Sequence, residues 1–153
     1  MTKNINDLAW SDPGLEGVYR RALYRVDARE PFVLRVGVYS EALERLYEST
    51  NHRSAAFLTA ANPGGVKVSD ELNIRAEARL RRQLIALSLP VTSGIGLDAD
   101  VTSDWPGERS LLVLGIQREN VIRLGLEHGQ LATIWCPETA IPELLMLKRT
   151  TPP

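Results

Sequence analysis

The sequence predicts an α+β fold, a mixed, largely antiparallel sheet of about five or six strands covered by helices. Three observations carry this reading. Strand-like runs and stretches of helical period follow each other along the chain, the pattern of a sheet packed under helices. The first two strand-like runs are separated only by Asp27-Ala28-Arg29-Glu30-Pro31, and so short a polar connection joins antiparallel neighbours. Residues 55–61 (AAFLTAA) and 110–116 (SLLVLGI) are apolar and too short for helices, as buried strands are.

Taken in order, Asp12-Pro13 reads as an N-cap followed by proline in the first helical turn. Leu15, Val18, Tyr19 and Ala22 then recur at helical spacing, which predicts a helix to about Leu23. Residues 24–26 begin a strand. Residues 32–39 form its hairpin partner, with Phe32, Leu34 and Val36 alternating against Val33, Arg35 and Gly37. Ser40 caps a short helix with Leu43, Leu46 and Tyr47 on one side. After the strand at 55–61, Asn62-Pro63-Gly64-Gly65 stops the chain abruptly. Ser69 caps the clearest helix, whose positive end is met by Asp70 and Glu71. Its stripe is Asn73, Ala76, Leu80, Leu84 and Leu87, and Leu89-Pro90 ends it. Residues 91–101 carry glycines and read as an irregular strand or loop, and Trp105-Pro106-Gly107 as a turn. Residues 110–116 are the strongest strand. A helix follows at 119–128, with Gly129 suited to its left-handed C-terminal cap. Residues 131–136 make another strand and 141–148 an outer helix. One domain is expected over 12–149, with loose termini at 1–11 and 150–153.

Composition narrows the function classes. Hydrophobic residues make up 44% and charged residues 24%, an ordinary globular balance that argues against disorder. The 18 basic residues against 19 acidic ones leave a net charge of −1, so the basic excess of a nucleic-acid binder is missing. Arg79, Arg81 and Arg82 are the one local basic patch, equally explained as a solvated helix face. The single Cys136 excludes an internal disulfide and four-cysteine zinc sites, and two histidines are few for a metal centre. No apolar run reaches membrane-spanning length and the first ten residues lack a signal-peptide core. A cytoplasmic location is expected, with no cofactor and no membrane partner.

The residues that carry chemistry are sparse. Thr59-Ala60-Ala61-Asn62-Pro63-Gly64-Gly65 reads either as a strand-ending turn or as a cradle for an anion or polar ligand. Proline at 63 pushes Asn62 toward extended backbone. Asn73 lies on the apolar stripe of the following helix, where a buried amide needs partners; it either pins the Asn62–Gly65 loop or lines a pocket. Strand alternation sends Glu108, Ser110, Leu112 and Leu114 to one face. A partly desolvated Glu108 has a raised pKa and suits a base, or it brackets a loop. His128 falls at a helix end, as a capping or half-buried histidine, and Gln130 opens a strand. Cys136 reads as a buried, inert thiol, and Ser110 lacks a nucleophile-elbow pattern.

These residues together resemble domain-of-unknown-function family 3293 (DUF3293), an uncharacterised bacterial family. Its pattern is Thr-Ala-x-Asn-Pro, an Asn on the next helix, Glu-x-Ser, and Gly-Gln-x-Ala. The matches are Thr59, Ala60, Asn62 and Pro63, then Asn73, then Glu108 and Ser110, then Gly129, Gln130 and Ala132. The resemblance runs over residues 15–136. It departs at Ala61 and His128, where the family carries aromatics, so an aromatic platform there is weakened or replaced. The resemblance groups the polar residues without assigning a reaction. Two functions are expected from this reading. One is a small cytoplasmic accessory or interaction domain whose polar residues brace loops. The other is a protein or enzyme that binds a small molecule or nucleotide-type ligand through Thr59, Asn62, Asn73, Glu108, Ser110 and Gln130. A small polar ligand is the partner class they suggest.

Overall fold

A computed structural model describes residues 13–147, Val101 excepted. The expected loose termini and the Asp12 cap lie outside the described residues. The element order is α1 (Pro13–Arg21), β1 (Leu23–Val26), β2 (Phe32–Leu34), α2 (Glu41–Thr50), β3 (Ala55–Leu58), α3 (Asp70–Ala86), β4 (Val91–Leu97), β5 (Glu108–Leu114), α4 (Arg118–Glu127), β6 (Ala132–Cys136) and β7 (Glu143–Met146). The strands form one seven-stranded sheet in the order β2-β1-β4-β5-β3-β6-β7. Every described pairing in it is antiparallel. The fold is therefore α+β, with slightly more strands than the five or six expected.

Caps follow the sequence closely. The Ser40 side chain accepts from Leu43 N, and the Ser69 side chain from Leu72 N. Gly129 takes the left-handed conformation, with φ 66°, just after the end of α4, where a Cβ would be strained. The hairpin between β1 and β2 also forms as read, with Tyr24 opposite Leu34 and Val26 opposite Phe32. Its second strand stops at Leu34 and not at residue 39. A turn carries the chain out of the sheet there, and Gly37 donates its N–H to Pro142 O.

Two further differences have clear physical causes. Residues 91–97 form a regular strand bonded on both edges, to β1 and to β5, where glycines suggested irregularity. Gly94 is there because of space: a Cβ would sit 2.6 Å from Arg25 O and 2.8 Å from the Phe57 ring. Residues 143–146 form edge strand β7 and not a helix. A turn closed by Ala140 N–H on Pro137 O reverses the chain, so residues 143–146 run back along β6 and satisfy its open edge. Long-range pairing outweighs the helical propensity of Glu-Leu-Leu-Met.

The sheet is covered on both faces. On one face Tyr24, Val26, Leu34, Phe57, Leu112, Leu114 and Ile134 pack with Leu43 and Tyr47 of α2. Tyr24 and Phe57 meet edge to face at 5.3 Å, an arrangement that adds to their area burial. Tyr47 is buried and its hydroxyl donates to Cys136 O at 2.9 Å, which anchors α2 across the sheet end. On the other face Ala56, Leu58, Leu111 and Val113 meet Leu80 and Leu84 of α3 and Val121 and Leu124 of α4. Substitution at Gly94 tests this packing. Gly94→Ala is expected to lower stability by about 1–3 kcal/mol, read as a lower urea midpoint with an unchanged m-value.

Candidate functional site

The site starts where β3 ends. Asn62 stands at φ 48°, ψ 62°, in the left-handed region and not the extended geometry that the following proline favours. Its side chain and backbone explain why. Asn62 N–H donates to Asn73 Oδ1 at 2.9 Å, and Asn73 Nδ2 donates to Asn62 Oδ1 at 3.0 Å. Val68 N–H also donates to Asn62 Oδ1, at 3.1 Å, and Asn62 Nδ2 donates to Glu108 Oε1 at 3.3 Å. Asparagine tolerates this backbone region better than most residues, and four bonds hold it there. Asn73 thus pins the Asn62–Gly65 loop from α3.

The same loop does not present an anion cradle. A 3-10 turn spans Pro63–Gly65. Gly64 N–H donates to Gly129 O, Gly65 N–H to Asn62 O and Val66 N–H to Pro63 O. With Val68 N–H also engaged, these amides bond within the chain. The N-terminus of α3 carries Asp70 and Glu71 in its first turn, which repel an anion.

A cavity of about 650 Å³ lies beside this loop, between α1, the sheet and the segment that joins β4 to β5. Strand register builds its floor. Tyr24, Gly96 and Glu108 stand opposite one another across β1, β4 and β5. Gly96 is buried, yet a Cβ there would meet nothing nearer than Glu108 O at 4.0 Å. The missing side chain is part of the open space. Thr59, Glu108, Ser110 and Gln130 line the cavity, and Asn62 and Asn73 stand behind it. The structure therefore brings four of the six sequence candidates to one wall, with the other two bracing that wall through Glu108.

The lining groups differ in what they have left to offer. The Thr59 hydroxyl donates to Arg109 O at 2.8 Å and accepts from Ala61 N–H. The Ser110 hydroxyl donates to Glu108 O at 3.0 Å. Gln130 Nε2 uses both of its hydrogens, on Ala61 O at 3.0 Å and His128 O at 3.2 Å. Glu108 receives a side-chain bond on Oε1 alone. Burial is the largest effect on its carboxyl and raises its pKa, and the Asn62 amide opposes this. Burial, with Glu108 as a lesser cause, also raises the Tyr19 hydroxyl.

Sequence reading missed the far wall. Tyr19 and Arg21 of α1, and Asp98, Asp104 and Trp105 of the β4–β5 segment, complete the lining. Tyr19 was visible only as one more apolar position of a helix, and Trp105 only as part of a turn. Glu77, buried on α3, takes two bonds from Arg109, at 2.9 and 2.6 Å; this pair ties α3 to β5 on the opposite face.

Other candidates lie elsewhere. His128 is buried, with Nε2 2.6 Å from Gln83 Oε1, and burial is the main cause lowering its pKa. Cys136 is buried and its thiol is pushed up to about 12, chiefly by burial. Arg79 pairs with Glu127 and Arg81 donates to Ser93 Oγ, so two members of the basic patch bond within the chain. Among the described residues no group of three or more His, Cys, Asp or Glu side chains is placed to hold a metal ion. Nor is any described helix long and apolar enough to cross a membrane.

Fold and site together define an α+β domain with a polar-floored cavity over one face of an antiparallel sheet. The family model described as Protein of unknown function (DUF3293) matches residues 58–133, about half of the chain, and the chain belongs to that family. All ten motif residues quoted above, Thr59 to Ala132, fall inside this stretch. Ala61 and His128, where the resemblance led to an expectation of aromatics, do not line the cavity. No curated protein and no solved structure matches the chain.

Two predictions follow from these bonds. Asn73→Ala removes the acceptor of the Asn62 N–H and is expected to cost about 1–3 kcal/mol, measured by chemical denaturation. Glu108→Gln tests the raised carboxyl. In the folded state Glu108 holds its proton to higher pH than in the unfolded chain. Wild-type stability therefore falls as pH rises from the ordinary carboxylate value of 4.5 through the raised folded value. The glutamine variant lacks that loss. Its stability relative to wild type should climb across that interval and level off above it, in thermal melts taken at a series of pH values.

Proposed function

We propose that the chain is a small-molecule-binding domain whose ligand occupies the cavity between α1, the sheet and the β4–β5 segment. The observation that carries this reading is the cavity itself. Its volume of about 650 Å³ lies in the range of small-molecule sites, which combine apolar walls with a few placed polar groups. Tyr19, Phe57 and Trp105 supply the apolar part, and Glu108 and Gln130 the polar part. The domain at 12–149 and its cytoplasmic location belong to the same proposal, supported by composition and by a single, buried cysteine.

A second reading has its own observation. The side chains of Thr59, Asn62, Asn73 and Ser110 all bond within the chain, as loop braces in an accessory or interaction domain do. The two readings part at Gly96. Gly96→Val places a branched side chain in the cavity, with open space at its Cβ and a residue type that strands favour. A nuclear magnetic resonance screen of a small-molecule library should give ligands whose shifts map to Glu108, Gln130 and Trp105. Those ligands should be lost in Gly96→Val while its melting temperature stays within a few degrees of wild type. Ligands that bind the valine variant equally well, or a screen without hits at this wall, would favour the bracing role.

A further inference from the structure

The cavity also specifies the charge of its occupant, an inference that rests on the binding role proposed above. The hydrogen-bond inventory of the floor at Thr59, Glu108, Ser110 and Gln130 is one-sided, while Tyr19, Arg21 and Trp105 bring donors to the far wall. The donors of Thr59 and Ser110 and both Nε2 hydrogens of Gln130 are engaged by backbone carbonyls. Glu108 Oε2 and Gln130 Oε1 take no bond from the described residues, so the groups left over on the floor are acceptors. Gln130 is only 9% exposed, and among the described residues no buried side-chain oxygen lacks a partner. Its Oε1 therefore reaches open space, and the residue lines the cavity.

Charge points the same way. Asp98, Asp100 and Asp104 stand at the rim with Glu108 on the floor, against one lining cation, Arg21. A concave site lined by one sign of charge focuses its field on the space inside. The rim aspartates are exposed and screened by salt; the half-buried Glu108 is the stronger anchor. Tyr19, Phe57 and Trp105 add aromatic rings to the lining, and aromatic rings attract cations as well as flat apolar groups.

We propose that the ligand is an organic cation, an ammonium or guanidinium group carried on a flat apolar body, with the charged group at Glu108 Oε2 and Gln130 Oε1 and the body against Tyr19 and Trp105. A cation at this point also offsets the loss of hydration at the Glu108 carboxyl.

One ring with three charges tests the assignment. Tryptamine, tryptophol and indole-3-acetate are titrated calorimetrically into the full chain at neutral pH and low salt. Tryptamine should bind at least about tenfold tighter than tryptophol, with indole-3-acetate the weakest. In Glu108→Gln the advantage of tryptamine should collapse to about twofold or less. A cooperative thermal melt of Glu108→Gln shows that the fold is intact there. Equal binding of the three, tightest binding of the acid, or an amine preference untouched by Glu108→Gln overturns the cation assignment and leaves the binding role standing. Failure of all three beside library hits at the same wall does likewise. Failure of all three with no library hit overturns both.

Discussion

The Asn73 side-chain amide holds Asn62 twice, accepting from its backbone N–H and donating to its side-chain oxygen, and the geometry of the site depends on that exchange. Asn62 closes β3 in a left-handed conformation directly before a proline, an arrangement that backbone sterics disfavour. Such a residue persists when its surroundings determine it several times over. Here Asn73 accepts from its backbone and donates to its side chain, Val68 adds a second donor, and the remaining amide group reaches Glu108. Three segments, the end of β3, the first turns of α3 and the more distant start of β5, are fixed to one point. Asn62 has both lone pairs of Oδ1 and one of its Nδ2 hydrogens in use. It bonds Glu108 and is not among the residues that line the cavity.

From that point the cavity follows by subtraction. The face of the sheet that carries Tyr24, Phe57 and Leu112 is covered by α2 toward one end. Toward the other end, the row Tyr24, Gly96, Glu108 has no side chain in its middle. Gly94 and Gly96 lie two residues apart on the same face of β4 with opposite consequences. At Gly94 the Phe57 ring closes over the backbone; at Gly96 nothing does. One glycine makes packing tight, and its neighbour leaves the space that α1 and Trp105 enclose.

Much of the fold was legible because its determinants are local. Ser40, Ser69 and Gly129 marked helix ends through chemistry that acts within four residues. Apolar runs such as 110–116 located the central strands. The errors fall where the deciding contact is distant. Residues 143–146 have a helical composition and become a strand because β6 offers an unpaired edge. The glycines of β4 resemble loop residues until the Phe57 ring above Gly94 is known. The polar constellation was legible as a group, since Asn62, Asn73 and Glu108 do meet. What each member does was not. Spacing shows that two amides share a neighbourhood, whereas their bonds with each other, which engage Asn62, exist only in three dimensions. Tyr19 and Trp105 carried no local mark that separates a cavity wall from a core position or a turn.

The division of labour among these polar groups also explains how a set of three amides, two hydroxyls and a carboxylate can end in an acceptor-rich floor. The carbonyl of Ala61 lies past the end of β3, and those of Glu108 and Arg109 lie in β5 before its pairing with β3 begins at Leu111. Each must find a donor or water. Gln130, Ser110 and Thr59 supply those donors, which leaves Gln130 Oε1 and Glu108 Oε2 without a partner among the described residues. Satisfying the backbone with side-chain donors thus fixes the polarity of whatever surface remains. A floor built this way offers acceptors, and not donors, to the space above it.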